Sequence, residues 1–119
     1  MIRPAIRKEV VWEGDSLKRI RTFPTDVQYC LGVELGLLQD GRAPTDAKPF
    51  KTAGPGCFEL RTKDVSGAYR AICVQLIKDK IHVLHCFQKK SSQTAKPDVE
   101  KAAARYKVLK QKVDGEKKK

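Results

Sequence analysis

Three strand-length segments in the second half of the chain, joined by very short links, constrain its fold most strongly. Cys57–Thr62 alternates apolar and polar side chains, Ala68–Ile77 is a longer apolar run, and Lys80–Gln88 is apolar apart from two histidines. This patterning is typical of β-strands. The links, Lys63–Gly67 and Lys78-Asp79, are too short for a crossover, so neighbouring strands must run antiparallel. The sequence therefore predicts a three-stranded antiparallel meander.

A first strand and a short helix are predicted ahead of this meander. Lys8–Trp12 contains residues that favour strands, and Gly14 ends the segment. Asp15 or Ser16 can cap the helix that follows, because either side chain can accept a hydrogen bond from a free N–H group of the first turn. The helix carries an apolar stripe formed by Leu17, Ile20 and Phe23.

A second helix is predicted after Pro24, which breaks the first. Thr25–Gln28 matches a capping box, with Thr three residues before Gln, and Gly41 closes the helix. Between them the apolar residues recur at helical spacing: Val27, Leu31, Leu35 and Leu38. The two helices are expected to form a hairpin with one shared apolar face.

The remaining segments complete the predicted fold. Arg42–Gly56 is rich in Pro, Gly and Thr and is interpreted as a loop; its length suggests a function. A last helix opens at Pro97-Asp98, where the missing N–H of proline costs nothing. The predicted class is α+β, with an antiparallel sheet and a helical hairpin on one side. We expect one domain over residues 1–113 and a charged, frayed tail over residues 114–119.

The net charge of +11 restricts the partners of a chain of 119 residues. Met1–Gly56 contains 9 Lys and Arg against 7 Asp and Glu, whereas Cys57–Lys119 contains 16 against 7. A basic field of this kind attracts polyanions, and nucleic acid is the commonest partner of a small basic domain. An acidic protein comes next and an anionic membrane surface third. The basic residues concentrate in the second half, where binding is therefore expected.

Several classes of protein and site are excluded by the same pattern. The apolar stretches are far shorter than the roughly 20 residues of a spanning helix, and no apolar region follows the charged N-terminus as in a signal peptide. We therefore expect a cytoplasmic protein. The chain has four cysteines and no CxxC spacing, so they are interpreted as reduced thiols packed in the core.

Three motifs in order resemble one protein family. They are Gly56-Cys57-Phe58-Glu59-Leu60-Arg61, Ser66-Gly67-Ala68-Tyr69-Arg70 and Val83-Leu84-His85-Cys86-Phe87-Gln88-Lys89-Lys90, with Lys48-Pro49-Phe50-Lys51 before them and Thr94 and Lys96-Pro97 after them. Together they are similar to the phage-derived, HigB-like branch of the RelE/ParE toxin superfamily. The resemblance covers roughly Val10 to Leu109 and is specific over Gly56–Pro97.

The resemblance implies a fold, an activity and partners. It implies a small twisted antiparallel sheet with two N-terminal helices across one face. It also implies the toxin of a type II toxin–antitoxin system that cuts messenger RNA on the ribosome and is held inactive by a cognate antitoxin protein. ParE relatives instead poison DNA gyrase, so gyrase inhibition without catalysis is the alternative. Neither reading requires a cofactor or a small-molecule ligand.

Cleavage of RNA without a metal requires cations at the phosphate and groups that transfer protons to and from the 2′-hydroxyl and the 5′ oxygen. The products would be a 2′,3′-cyclic phosphate and a 5′-hydroxyl. Arg70 lies in an apolar strand, so it must either face a wet cleft or pair with a carboxylate, for which Glu59 is the obvious choice. The resemblance places an arginine here at the scissile phosphate. Arg61 would share that phosphate, unless it belongs to a plain solvated face.

Proton transfer is assigned to His85 and Lys90. His85 titrates near neutral pH, although a histidine on an apolar strand is often only a satisfied core residue. His82, three positions earlier, is expected on the opposite face, which argues against a zinc site built from His82, His85, Cys73 and Cys86. Family nucleases often have a tyrosine after the last strand, and the segment Phe87–Thr94 has none. A lysine or His85 is therefore expected to take the place of that tyrosine.

Four further lysines, Lys48, Lys51, Lys89 and Lys96, are expected to bind the backbone of ribosomal or messenger RNA. For Lys89 and Lys90 the plainer reading is a charged strand exit. A simple RNA-binding module is a third hypothesis for the whole chain. It lacks the exposed aromatic residues that usually stack on bases, because aromatic residues make up 7% of the chain and most are predicted to lie in the core.

Overall fold

A computed structural model describes residues 7–117, which form one five-stranded sheet with helices on both faces. The strand order is β1-β5-β4-β3-β2. The elements in chain order are β1 (Glu9–Trp12), α1 (Ser16–Ile20), α2 (Thr25–Gln39), β2 (Ala47–Pro49), β3 (Phe58–Asp64), β4 (Gly67–Val74), β5 (Lys80–Lys89) and α3 (Lys96–Lys117). The predicted α+β class and the predicted element order are confirmed, with one strand added.

The meander of β3, β4 and β5 is antiparallel, as predicted. Its register places Arg61 directly opposite Arg70, and Arg70 directly opposite Phe87. The remaining strands extend the sheet at its two edges. β1 pairs in parallel with the first part of β5, and β2 pairs antiparallel with the first part of β3. The later halves of β3 and β5 therefore have free edges.

The two faces of the sheet carry separate cores. α1 and α2 cover one of them, the hairpin face, where Ile20, Val27, Leu31, Leu60 and Cys86 are buried together. This confirms the shared apolar face of the predicted helical hairpin. α3 covers part of the opposite side, the α3 face, where its apolar residues pack against the sheet: Ala102, Tyr106, Leu109 and Val113 against Ile72, Leu84 and Phe87.

The caps predicted for the first two helices are not formed. Asp15 stands at the N-cap of α1 but makes no capping bond; instead its carboxylate accepts a hydrogen bond from Arg105 Nη2 at 2.7 Å. Ser16 donates to the carbonyl oxygen of Val83. α2 begins at Thr25 itself, so Thr25 cannot act as its cap. At α1, the side chains that local propensity assigned to the cap thus make tertiary contacts instead.

Two further parts of the fold differ from the prediction. β2 lies inside the segment predicted as a loop, and all three of its residues are exposed, so no apolar pattern marks it. α3 continues to Lys117, so residues 114–117 of the predicted tail are helical. Lys110 donates to Asp114 one turn later, which supports this extension. Residues 118–119 lie outside the described residues.

A β-bulge in β5 overturns the predicted orientation of the two histidines. The register shifts between Ile72 and Cys73, so that Ile72 pairs with His85 while Cys73 pairs with Val83. The extra residue resets the alternation of side chains. His82 and His85 consequently both lie on the α3 face, rather than on opposite faces.

The cysteines were predicted to be packed in the core, and this is wrong for one of them. Cys57, Cys73 and Cys86 are buried, but Cys30 on α2 is exposed. Burial raises the pKa of Cys57 to about 11 and that of Cys86 to about 12. Among the described residues, none of the helices has the length and apolar content that a membrane span requires.

Candidate active site

Arg61 and Arg70 form a direct cross-strand pair on the α3 face. Like charges directly opposite one another destabilise a sheet unless an anion lies nearby. Two carboxylates lie close, although neither is within hydrogen-bonding distance of the arginine Nε atom. Glu59 Oε2 is 3.8 Å from Arg70 Nε, and Asp46 Oδ1 is 3.9 Å from Arg61 Nε. Each arginine thus has one carboxylate beside it, without a hydrogen bond from its Nε atom.

Arg70 both pairs with a carboxylate and lines a cavity, which are the two environments predicted as alternatives. Its side chain is 8% exposed and pairs with Glu59, but it also lines a cavity. Nη1 donates to the carbonyl oxygen of Tyr69 at 2.9 Å, while Nε has no acceptor among residues 7–117. Burial, above all, lowers the pKa of Arg70, and Glu59 acts in the opposite direction. A guanidinium remains charged under such shifts.

The cavity beside these arginines lies at the free edge of β3 and measures about 410 Å³. We call it the β3 cavity. It is lined by Cys30 and Glu34 from α2, Asp46, Arg61, Thr62, Lys63, Ala68 and Arg70. Glu34 is buried and accepts a hydrogen bond from the backbone N–H of Thr45 at 2.7 Å. The lining thus contains three cations and two carboxylates, of which Asp46 is paired with Arg61 and Glu34 accepts from a backbone N–H.

A second cavity of about 470 Å³ lies at the free edge of β5, and we call it the β5 cavity. Arg19, Lys89 and Lys90 supply its positive charge, and none of the three forms an ion pair within the described part of the chain. Asp98 is its one acidic residue. An excess of cations at a cavity of nucleotide size suits a phosphate.

The two cavities are close together because of the sheet register. Phe87 lines the β5 cavity and is the cross-strand partner of Arg70, which lines the β3 cavity. Such partners have Cα atoms about 5 Å apart. Further along the strands, Lys63 pairs with Ala68 and Ala68 with Lys89. The small side chain of Ala68 thus lies between two lysines on the α3 face.

His85 lies beneath the surface of the two cavities and is not part of it. It is fully buried and lines neither cavity, and its Nε2 atom is 2.7 Å from Asp98 Oδ1. An ionised carboxylate can only accept, so Nε2 carries the proton and donates. Burial lowers the pKa of His85, and Asp98 only partly offsets this effect. The direct proton transfer predicted for His85 is therefore not available in this arrangement, and Asp98 is the group that faces the cavity.

The other predicted lysines are spread around the site. Lys48 on β2 pairs with Glu59 in register, which places it on the α3 face. Lys51 follows in an exposed turn. Lys96 starts α3, is 87% exposed and lies 3.9 Å from Glu100. Lys89 and Lys90 lie together in the β5 cavity, whereas Lys48, Lys51 and Lys96 line neither cavity.

Three residues at the cavities were not predicted from the sequence. Lys63 was assigned to a turn, but β3 extends to Asp64 and carries it onto the sheet. Arg19 lies on α1, and only the tertiary fold brings it to β5. Asp98 was interpreted as part of a helix start. In the sequence, only its position soon after the basic segment Lys89–Lys96 could have indicated a place at the site.

Over residues 7–117, no three His, Cys, Asp or Glu side chains are grouped so that they could hold a metal ion. His82 and His85 now share a face, but each has a carboxylate of its own: Glu13 lies 2.8 Å from His82 Nδ1, and Asp98 lies 2.7 Å from His85 Nε2.

Comparisons with known proteins agree with this architecture. A family model described as "Phage derived protein Gp49-like" matches residues 18–107. A free arginine-to-alanine double mutant of the Escherichia coli toxin RelE aligns with a TM-score of 0.59 at 17% identity, covering 84% of this chain and 97% of that one. The isolated E. coli RelE toxin gives 0.53 at 18% identity, covering 78% and 96%. No curated protein matches significantly.

Proposed function

The chain belongs to the phage-derived Gp49-like family and has the fold of RelE, and we propose on this basis that it is the toxin of a toxin–antitoxin pair that cuts messenger RNA on the ribosome. The family match and the fold confirm the predicted superfamily resemblance. The HigB-like branch, the ribosome and the antitoxin are part of the proposal. So are a cytoplasmic location, which ribosomes require, and a single toxin domain over residues 1–113.

One observation carries the proposal: Arg61 and Arg70 face each other across two strands, and the carboxylate beside each one lies too far from its Nε atom for a hydrogen bond. Their two buried Nε donors have no acceptor among the described residues. A phosphate would supply acceptor oxygens for these guanidinium groups. We infer that the backbone of RNA crosses this end of the sheet, with phosphates in or between the two cavities.

The mechanism follows from the groups around that phosphate. The 2′-hydroxyl attacks the adjacent phosphorus, the bond to the 5′ oxygen breaks, and a 2′,3′-cyclic phosphate and a 5′-hydroxyl result. Arg61 and Arg70 bind the non-bridging oxygens, where negative charge increases in the transition state. Because DNA has no 2′-hydroxyl, the reaction is restricted to RNA.

Proton transfer is assigned to the β5 cavity. The carboxylate of Asp98 accepts the proton of the 2′-hydroxyl, and Lys90 donates a proton to the departing 5′ oxygen. His85 is a positioning residue, since its Nε2–H bond holds the Asp98 carboxylate toward the cavity. In this proposal Asp98 takes the role of base that the sequence assigned to His85, where no tyrosine is available.

Controlled expression in a bacterium tests the proposal. Primer extension is run on a translated and an untranslated reporter RNA, for the wild type, Arg70→Ala and Arg42→Ala. Arg42 is exposed and lines neither cavity, and its replacement by alanine removes the same charge as Arg70→Ala. Growth arrest with cuts only in translated RNA, abolished by Arg70→Ala and retained by Arg42→Ala, is the expected result. Arrest without RNA cuts and with a DNA-damage response would instead indicate the gyrase inhibitor.

A further inference from the structure

The β5 cavity extends around the free edge of its strand, so its two ends belong to different faces of the sheet. Tyr69 and Gln88 are cross-strand partners, and Tyr69 lies in the core of the hairpin face. Phe87 lies in the core of the α3 face, to which α3 brings Asp98. The proton transfer proposed above uses only this second end. The residues of the first, which we call the hairpin end, are Arg19, Thr22, Phe23, Tyr69 and Gln88.

The hairpin end has rigid apolar walls. The rings of Phe23 and Tyr69 have centroids 4.8 Å apart. The Tyr69 hydroxyl lies 2.6 Å from Ser66 Oγ, which itself donates to Asp64 Oδ1. Because the single hydroxyl proton of Ser66 is used on Asp64, Tyr69 must donate its own proton to Ser66. The phenol is therefore held in place and acts as a wall, which suits a flat ligand with apolar faces.

Two polar groups at the hairpin end are still free to bind. Gln88 Nε2 donates to the carbonyl oxygen of Ser66 at 2.9 Å, which fixes the orientation of the amide. Its Oε1 atom accepts no hydrogen bond from the described residues. The Arg19 guanidinium likewise has no hydrogen-bond acceptor between residues 7 and 117. The hairpin end thus presents a fork of donors and one oriented acceptor.

We propose that the hairpin end binds a guanine base, that of the nucleotide whose 2′-hydroxyl attacks, and that Arg19 and Gln88 determine this specificity. The inference rests on the proposed function and adds a sequence preference to it. Guanine carries the acceptors O6 and N7 on one edge, which match the fork of an arginine. Its N1–H group, next to O6, is a donor for Gln88 Oε1. A cavity of about 470 Å³ accommodates one nucleotide.

The other bases fit these two groups less well. Adenine has an amino group where guanine has O6, so it would place a donor against the donors of Arg19. Adenine also lacks the N1–H group that Gln88 would accept. Cytosine and uracil have no N7, so the two-acceptor edge that a purine offers to the arginine fork is lost. The arrangement therefore favours guanine over all three.

Binding is measured with nucleic acid that cannot be cut, so that the base preference does not depend on catalysis. Four short 2′-fluoro oligonucleotides, which lack the attacking hydroxyl, carry guanine, adenine, cytosine or uracil at one position between uracil flanks. Fluorescence anisotropy with the full chain should show binding roughly tenfold tighter for guanine than for adenine, as one bidentate contact provides. Equal affinities, or tightest binding of another base, would overturn the inference.

Two arginine variants test whether the fork itself is read. Arg19→Lys keeps the charge but loses the planar fork, so it should abolish the preference for guanine and leave the affinity for the adenine oligonucleotide nearly unchanged. Arg21→Lys is the matched control, since Arg21 is exposed, lines neither cavity and should keep the preference. Gln88→Met should reduce the preference by removing the acceptor. Full preference in Arg19→Lys would exclude the proposed role of Arg19.

Cleavage is measured separately, so that the two proposals can fail separately. On translated reporter RNA, cuts should fall directly after guanines. If the protein cuts translated RNA equally well after all four bases, the inference fails while the proposed function stands. If no RNA is cut, the proposed function fails, and the binding comparison still decides whether the guanine site exists.

Discussion

His85 Nε2 and Asp98 Oδ1 lie 2.7 Å apart, joining the centre of the last strand to the first turn of the last helix. The histidine is fully buried, whereas the Asp98 side chain is 19% exposed. The contact therefore connects the core to the surface of the β5 cavity. The packing of α3 on the sheet therefore depends on the protonation state of the His85 ring.

Stability should fall in mild acid because of His85. Burial lowers the pKa of His85 below its usual 6.5, so between 6.5 and the lower folded value the unfolded state binds a proton that the folded state does not. The free energy of unfolding then rises with pH across this window, and the stabilising contribution of neutral His85 is fully present above it. Urea unfolding at a series of pH values should give a positive slope of unfolding free energy against pH in the wild type. The slope should be smaller in His85→Gln. Identical slopes would contradict this assignment.

Replacing Asp98 provides a second readout of the same pair. The carboxylate raises the pKa of His85, so Asp98→Asn should lower that pKa further and extend the acid-sensitive window downwards. If Asp98 is also the general base, cleavage of translated RNA should fall about 10²–10⁴-fold in the same variant. A wider acid-sensitive window without loss of cleavage would separate the structural role from the proposed catalytic one.

Glu59→Gln should make RNA binding tighter and the protein less stable. The Glu59 carboxylate lies 3.8 Å from Arg70 Nε and is nearly buried, so it both stabilises the guanidinium and competes with a phosphate. Its removal should cost about 1–3 kcal/mol of unfolding free energy. Fluorescence anisotropy with a short RNA should show an increase in affinity. Weaker binding by a folded Glu59→Gln protein would exclude competition at Arg70.

Lys63→Ala should weaken RNA binding through the loss of a phosphate contact. Lys63 lines the β3 cavity and shares a cross-strand row with Lys89. The slope of log affinity against log salt should fall by about 0.7 for each lost contact with single-stranded RNA. Lys112→Ala is the matched control, since Lys112 lies on α3 about 21 Å along the helix from Asp98. Equal losses in both variants would indicate non-specific attraction only.

Gly54→Ala should destabilise the protein more than Gly41→Ala. Both glycines have positive φ, 152° and 75°, so each substitution strains the backbone by about 1–2 kcal/mol. A Cβ at Gly54 would also clash with Cδ1 of Tyr106, whereas one at Gly41 would meet no atom within 4 Å. Overpacking should add about 1–3 kcal/mol at Gly54. Thermal unfolding of the two variants measures the difference, and an equal loss would contradict contact between this loop and α3.

The sequence predicts most of the fold because its patterns are local. Alternation and short links are sufficient to define β3, β4 and β5, and helical spacing is sufficient for the buried face of α2. Arg61 and Arg70 could be placed together for the same reason, since a hairpin brings its own two strands into register. β2 was missed because three exposed residues ending in Pro49 carry no pattern.

The rest of the site depends on contacts between distant segments. The bulge that turns His82 and His85 to one face is a register shift, which alternation cannot reveal. Arg19 reaches the β5 cavity because α1 packs on β5, and Asp98 reaches it because α3 folds back over the sheet. The bond between His85 and Asp98, likewise, follows from this packing.

The pairing of the first strand with the last has a consequence for how each molecule is made. Glu9 pairs with Lys80, so β1 has no neighbouring strand until most of the chain has been synthesised. Contacts between segments so far apart form late and slowly. The arginine pair needs only β3 and β4, but the β5 cavity needs α1, β5 and α3 together. For a protein proposed to attack translating ribosomes, this order lets the ribosome finish each copy before that copy is able to stop it.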